Sequence, residues 1–284
     1  MLPSTSETLS TADFLAIATE EMQTYVWDVL TGVREEYAVT DYDVALTAGT
    51  STYALPPRAS GGALRNVMLA DGAGNYLPVL RVSPEHYRDV TNGRTGGYYF
   101  KDDSVVLVPT PSSGTLRLQY FRRPNKLVTV AECAVVASIN VGRTVITTAG
   151  SVPASFVTGV VLDVVDQTPA FRTLGMDLAT TGTVSGTTIT LSAALPVSVA
   201  AGDYVCLAGE SPIPQVPVEL HPLLAQRVVV KSLEALGDQK MVVADGICER
   251  MRKTAISLLS PRSQGSTRYL INRNGPGFGR RTRR

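Results

Sequence analysis

The sequence predicts an α+β protein. One N-terminal and two C-terminal helices form a helical bundle, with an antiparallel β domain, an inserted second β module and an extended C-terminal tail. Three observations carry this. Apolar residues recur at three- and four-residue spacing near both ends of the chain, the period of a helix with one buried face. Between them the period falls to two, in short β-branched or aromatic runs separated by Gly, Pro, Asn and Asp, as in strands joined by tight turns. Beyond Pro261 the periodicity stops and Arg and Gly dominate. With 284 residues, 44% of them apolar, the chain can build a sizeable core and more than one module.

The first helix is expected over 12–36, within a segment 1–43 that belongs to the helical core. Ser10 or Thr11 can cap it, and Asp13 falls in the first turn, where the helix dipole favours an acid. Leu15, Ala18, Met22, Tyr25, Val29 and Val33 make its apolar stripe, widened by Val26 and Leu30, with Glu20, Glu21, Asp28 and Glu35 on the other side. The β domain spans 44–127, with strands expected at 44–55, 64–69, 76–82, 97–101, 104–108 and 115–121. Lys101-Asp102-Asp103 reads as a hairpin turn. Charges thin out from Val128 to Glu210 while Val, Thr, Ala and Gly accumulate, which marks an inserted β module with strands such as 143–148, 157–165, 187–191 and 203–207. After the Pro-rich linker Ser211–Pro217, helices over 218–236 and 239–259 break at Gly237-Asp238 and complete the helical core over 211–261. So short a connection makes them antiparallel neighbours. The segment 262–284 is an extended arm that cannot build a core of its own.

Charge is distributed unevenly. The formal total is +1, which argues against general affinity for nucleic acid or membrane. Yet seven Arg and no Lys or acid lie between Arg262 and Arg284, leaving the other 261 residues with 19 basic and 25 acidic side chains, a net of −6. Nine acids in the first 50 residues (Glu7, Asp13, Glu20, Glu21, Asp28, Glu35, Glu36, Asp41, Asp43) face only Arg34. An acidic body with a basic tail suits charge-complementary contact, within a ring or with a neighbouring ring. Glu20, Glu21, Asp28, Glu35 and Glu36 are the candidate ring-contact acids. In the arm, Arg268-Tyr269-Leu270-Ile271-Asn272-Arg273 mixes cations with apolar anchors, as a segment adding a strand to a sheet edge would. Arg280-Arg281-Thr282-Arg283-Arg284 closes it with a basic cluster, which suits an acidic protein surface, or else DNA phosphates. The remaining reading is a solvated tail.

Motifs for catalysis or cofactors are absent. Neither Cys-x-x-Cys nor His-Glu-x-x-His occurs, nor a Gly-x-Ser-x-Gly elbow or a phosphate-binding Gly-x-x-x-x-Gly-Lys loop. His86 and His221 are too far apart for a helical metal pair, and His221 reads as a capping or packing residue. Glu20/Glu21, Glu35/Glu36 and Asp102/Asp103 read as contact or solvated charges, since adjacent acids on a helix point to different faces. No catalytic, cofactor or metal residue is therefore expected. Cys133, Cys206 and Cys248 are odd in number, and Met1 is followed by no apolar leader, so reduced thiols in an intracellular product are expected. No apolar run reaches the ~18 residues of a membrane helix.

The order of these parts resembles the head-to-tail adaptor (connector) proteins of short-tailed bacteriophages, including the tail tubular protein A type. Local matches begin with Arg34-Glu35-Glu36-Tyr37, Thr52-Tyr53-Ala54-Leu55-Pro56, Pro57-Arg58-Ala59 and Gly97-Tyr98-Tyr99-Phe100. They continue with Val108-Pro109-Thr110-Pro111, Leu118-Gln119-Tyr120-Phe121-Arg122-Arg123-Pro124 and Pro217-Val218-Glu219-Leu220-His221-Pro222-Leu223-Leu224 followed by Gly237-Asp238. The likeness covers roughly 10–127 and 212–262, and the module at 128–210 departs from shorter members. It implies a homo-oligomeric ring, commonly a dodecamer, in the virion neck between capsid and tail, assembled in the bacterial host cytoplasm. Its partners would be the portal protein and the tail tube or nozzle protein, with DNA passing through the lumen unread. The arm residues Arg262, Arg268, Tyr269, Leu270, Ile271, Arg273, Phe278, Arg280 and Arg281 would bind the portal. Two rivals share the composition: a tail nozzle or stopper protein, and a virion-associated glycan-binding or glycan-hydrolysing protein. Against the second stands the single Trp27, placed in a helix without an aromatic platform.

Overall fold

Ser10 starts the first helix. Its hydroxyl accepts from the Asp13 amide at 3.2 Å, and the Asp13 carboxylate accepts from the Ser10 amide at 2.8 Å, satisfying donors that a helix start leaves open. The computed structural model describes residues 9–70, 74–83, 97–168, 172–181, 184 and 186–260. Helix α1 runs over Thr11–Glu21, a π turn follows over Met22–Val26, and α2 continues over Trp27–Val33 into a 3-10 turn, Glu35–Ala38. The expected single helix is therefore a rod with one wide turn inside it. The Trp27 amide donates to the Met22 carbonyl, five residues back. A four-residue step on an ordinary helix overshoots the turn. The wide turn absorbs that overshoot, and Met22, Val26 and Leu30 are all fully buried.

Val39–Ala45 (β1) leaves this rod and pairs antiparallel with Thr115–Arg122 (β8). Strand thus begins at Val39, before the expected shift of period at Val44. Among the described residues, β1 and β8 join Ala59–Ala70 (β3) and Tyr76–Pro78 (β4) in a sheet of order β1-β8-β3-β4. A second sheet, of order β2-β7-β6-β5, contains Thr52–Ala54 (β2), Leu80–Arg81 (β5), Gly97–Lys101 (β6) and Ser104–Val108 (β7). Strands β6 and β7 close the expected hairpin, with Lys101 opposite Ser104. Asp102 takes a left-handed φ of 52° there, a conformation that Asp tolerates better than most residues. Tyr53, Val67, Val105, Leu107, Leu116 and Leu118 from these strands share one buried core.

Lys126–Leu127 (β9) leads out of this region, and Glu210–Ser211 (β16) returns beside it in parallel. Between them lie Ala134–Ile139 (β10), Val145–Thr148 (β11), Val161–Val165 (β12), Thr173–Ala179 (β13), Thr188–Thr190 (β14) and Tyr204–Leu207 (β15). They form an antiparallel sheet of order β13-β12-β15-β10-β11-β14. Its core includes Val136, Ile146, Leu162, Val164, Ile189 and Val205. Strands β10 and β13 were not among those expected.

After a 3-10 turn at Val218–Leu220, helices α3 (His221–Ala235) and α4 (Met241–Leu259) return to the N-terminal rod. The rod, α3 and α4 share a third core around Met22, Val26, Leu30, Leu220, Leu223 and Cys248. Arg34 Nε donates to the Leu259 carbonyl at 2.8 Å, satisfying one of the acceptors that the end of α4 leaves open.

Candidate functional site

Charged and polar side chains form two internal knots and leave two charged faces. The first knot surrounds Asp163, where the six-stranded sheet meets the β9–β16 pair. Asp163 is the one acid in the apolar run of β12, and it is fully buried. Arg58 comes from the turn between β2 and β3 and grips it with both guanidinium nitrogens, at 2.6 and 2.8 Å, while also holding Asp177 at 2.7 Å. The amides of Asp177 and Gly209 and the side-chain amide of Asn125 donate to Asp163 at 3.1, 3.1 and 2.9 Å. Each carboxylate oxygen therefore has several donors, the condition under which a buried charge is tolerated. Burial lowers the pKa of Arg58, but the pairings with Asp163 and Asp177 outweigh it and the net shift is upward. Asn125, itself buried, ties this junction further: its amide donates to Gln215 Oε1 at 2.9 Å.

The second knot fastens α3 to the N-terminal rod. Glu21, an expected ring-contact acid, is buried, and Arg227 of α3 donates to it at 2.7 Å. It faces inward because it lies at the junction of α1 with the π turn, against α3. The Arg227 guanidinium also lies 4.6 Å from the centre of the Tyr25 ring, within cation–π range. The Tyr25 hydroxyl donates to Glu249 of α4 at 2.9 Å. Burial first, then its bonds to Glu249 and Cys248, push the Tyr25 phenol well above its ordinary range.

These pairings sort the acids of the first 50 residues. Asp41 and Asp43 serve Arg117, which sits 3.7 Å from the centre of the Tyr76 ring. Glu35 reaches Arg65 at 3.2 Å, and Asp13 caps α1. Glu20, Asp28 and Glu36 are exposed and form no ion pair among the described residues.

The end of β8 separates two faces, because successive strand residues point to opposite sides. Phe121 lines a hollow with Gln23, Thr24, Trp27, Asp28 and Glu35. Arg122 lines a cleft on the other side with Tyr37, Thr40, Arg172, Thr173 and Ser198. Neither Arg122 nor Arg172 has a carboxylate within ion-pairing distance among the described residues. Among the described residues Arg122 Nη1 contacts Met176 Sδ, at 3.7 Å. Burial pulls the Arg122 guanidinium below its usual range, against the pull of Tyr120 and Asp163. Arg172 is exposed at the rim.

The arm residues Arg262, Arg268, Tyr269, Leu270, Ile271, Arg273, Phe278, Arg280 and Arg281 lie outside the described residues, as does His86. His221 packs as expected, with Nε2 at 3.0 Å from the Val216 carbonyl. Among the described residues no three potential metal-ligating side chains converge, and no helix is long and apolar enough to cross a membrane. Arg58, Asp163, Arg122 and Arg172 were not candidates from sequence. The available signal was Asp163 standing alone between Val160-Val161-Leu162 and Val164-Val165, where an unpaired charge would be costly.

Ionic groups lock the parts of this body together and its remaining charges lie on separate faces, an arrangement suited to contacts with other proteins. The chain belongs to the SU10 adaptor protein family, whose model matches residues 4–162, from the N-terminal rod into β12. It is a structural phage adaptor, a virion component that works with other head and tail proteins. The match runs past the expected module boundary at Leu127. No curated protein matches the chain.

Proposed function

We propose that this adaptor forms a homo-oligomeric ring, a dodecamer, between the portal and the tail tube or nozzle in the virion neck, as in the tail tubular protein A type. DNA passes through its lumen without sequence readout. The basic arm 262–284 docks on the portal, with Arg262, Arg268, Tyr269, Leu270, Ile271, Arg273, Phe278, Arg280 and Arg281 as its contacts. The observation that carries the reading is family membership over 4–162. The separation of charge supports the arm's role: seven arginines follow a body of net −6. Fully extended, at about 3.3–3.6 Å per residue, 23 residues reach roughly 75 Å, across an adjoining subunit.

In this scheme the free adaptor is a monomer, and ordering of the arm on the portal couples docking to ring formation. Ordering costs on the order of a few kcal/mol, so rings form on the template and not in its absence. The test is deletion of 262–284, followed by mass measurement with and without purified portal. The truncated chain is expected to stay folded and monomeric and to lose portal binding. Portal binding equal to that of the full chain would remove the arm from the scheme.

A further inference from the structure

The two faces at the end of β8 carry opposite charges. On one side Asp28 is exposed and unpaired among the described residues, with Glu20 two turns earlier on the same rod. On the other side Arg122 and Arg172 share a cleft with no carboxylate among the described residues. Arg58 cannot release a partner for them, since both oxygens of Asp163 are already committed to it and to three amide donors. A half-buried guanidinium without an anion is costly, and its planar donor fork matches a carboxylate.

We infer that the cleft holding Arg122 and Arg172 is a docking site for the Asp28 and Glu20 carboxylates of a second copy. The donor and acceptor surfaces differ and lie on opposite faces of the β8 end. The contact is therefore head-to-tail, the type that generates a closed ring when the rotation per copy closes. The inference rests on the ring proposed above and assigns its subunit contact. A protein carboxylate is favoured over a nucleic-acid phosphate because the same molecule displays the unpaired acids that the cleft lacks. The exposed acids Glu20 and Asp28 also do not favour a neighbouring polyanion.

Arg172 and Asp28 are both exposed, so reversing either charge leaves the packed cores untouched. The experiment compares the wild-type full-length chain, R172E, D28R and the double variant R172E/D28R. The readout is the concentration dependence of oligomer mass, with and without portal. Each single reversal is expected to weaken self-association by roughly tenfold or more, and the double variant to recover most of it, because the pair is restored with reversed sign. Should one single variant fold poorly, the other, on a different element, still reads the contact. R172E and D28R rings as tight as wild type overturn the inference and leave the ring reading standing. So does an R172E chain that keeps its rings while losing affinity for duplex DNA, which assigns the cleft to phosphate. Wild-type protein that forms no oligomer under either condition overturns the ring reading, and this contact with it.

Discussion

At the scale of single residues, burial decides which charges act within the chain and which remain for partners. Glu21 and Asp28 are both acids of the N-terminal rod, yet one is buried against Arg227 and the other is exposed. Helical periodicity alone places both off the apolar stripe, so their difference comes from α3, about 200 residues away in sequence, whose Arg227 pairs with Glu21. The thiols follow the same logic. Cys206 is fully buried, with its Sγ 3.2 Å from Cys133 Sγ. The bond to Cys133 first, and burial second, push the Cys206 thiol far above its ordinary range. Burial likewise raises Cys248. The thiolate is the reactive form, so iodoacetamide at pH 8 should label Cys206 and Cys248 more slowly in native protein than in urea, by on the order of a hundredfold or more. Peptide mapping of timed samples reads this. Equal rates in both states would mean that these side chains are not enclosed.

At the scale of elements, two glycines of the C-terminal pair should respond with opposite signs. Gly237, between α3 and α4, has a φ of 67°, and a Cβ there would meet nothing within 4 Å. The cost of G237A is therefore one of backbone conformation alone, about 1 kcal/mol. Gly246 lies inside α4 with ordinary helical geometry and equally open space, so G246A should stabilise by about 0.5–1 kcal/mol. Urea unfolding of both variants measures the pair, and a stabilised G237A would contradict the left-handed turn. Gly237 was legible in the sequence as a helix break, and the hairpin at Asp102 was legible too, because local chemistry dictates both. The π turn was not: a stripe containing both Met22–Tyr25–Val29 and Val26–Leu30 reads as a broad helical face, and which residues face inward depends on α3 and α4. Strand β1 was missed because its middle residues, Asp41, Tyr42 and Asp43, are all exposed. Their alternation encodes pairing with Arg117 and Gln119 across the ladder, and no buried stripe. Strands β10 and β13 carry weak or interrupted alternation, and their places are set by neighbours in the module sheet.

At the scale of the whole molecule, the sheet of β10–β15 has its own core but is not hung on a bare tether. The β9–β16 pair carries the chain in and out, and Arg58 reaches from the first β region into β12 and β13. The knot at Asp163 thereby fixes the module's orientation, which the proposed ring would require of each subunit. The substitution D163N tests this. Asn keeps the shape but removes the charge, and its amide nitrogen presents hydrogens to donors that need an acceptor. Breaking one side of a buried ion pair costs about 3–5 kcal/mol, and here the half-exposed Asp177 is left as the carboxylate on Arg58. The loss falls on contacts between the module and the rest of the chain, while the cores around Leu162 and Leu118 are untouched. The expected outcome is an unfolding curve that splits, the module melting ahead of the body. Amide exchange should rise in β12 and β15 well before it rises in α3. A single transition shifted by less than about 1 kcal/mol would show instead that the β9–β16 pair and Asn125 hold the module without the ion pair.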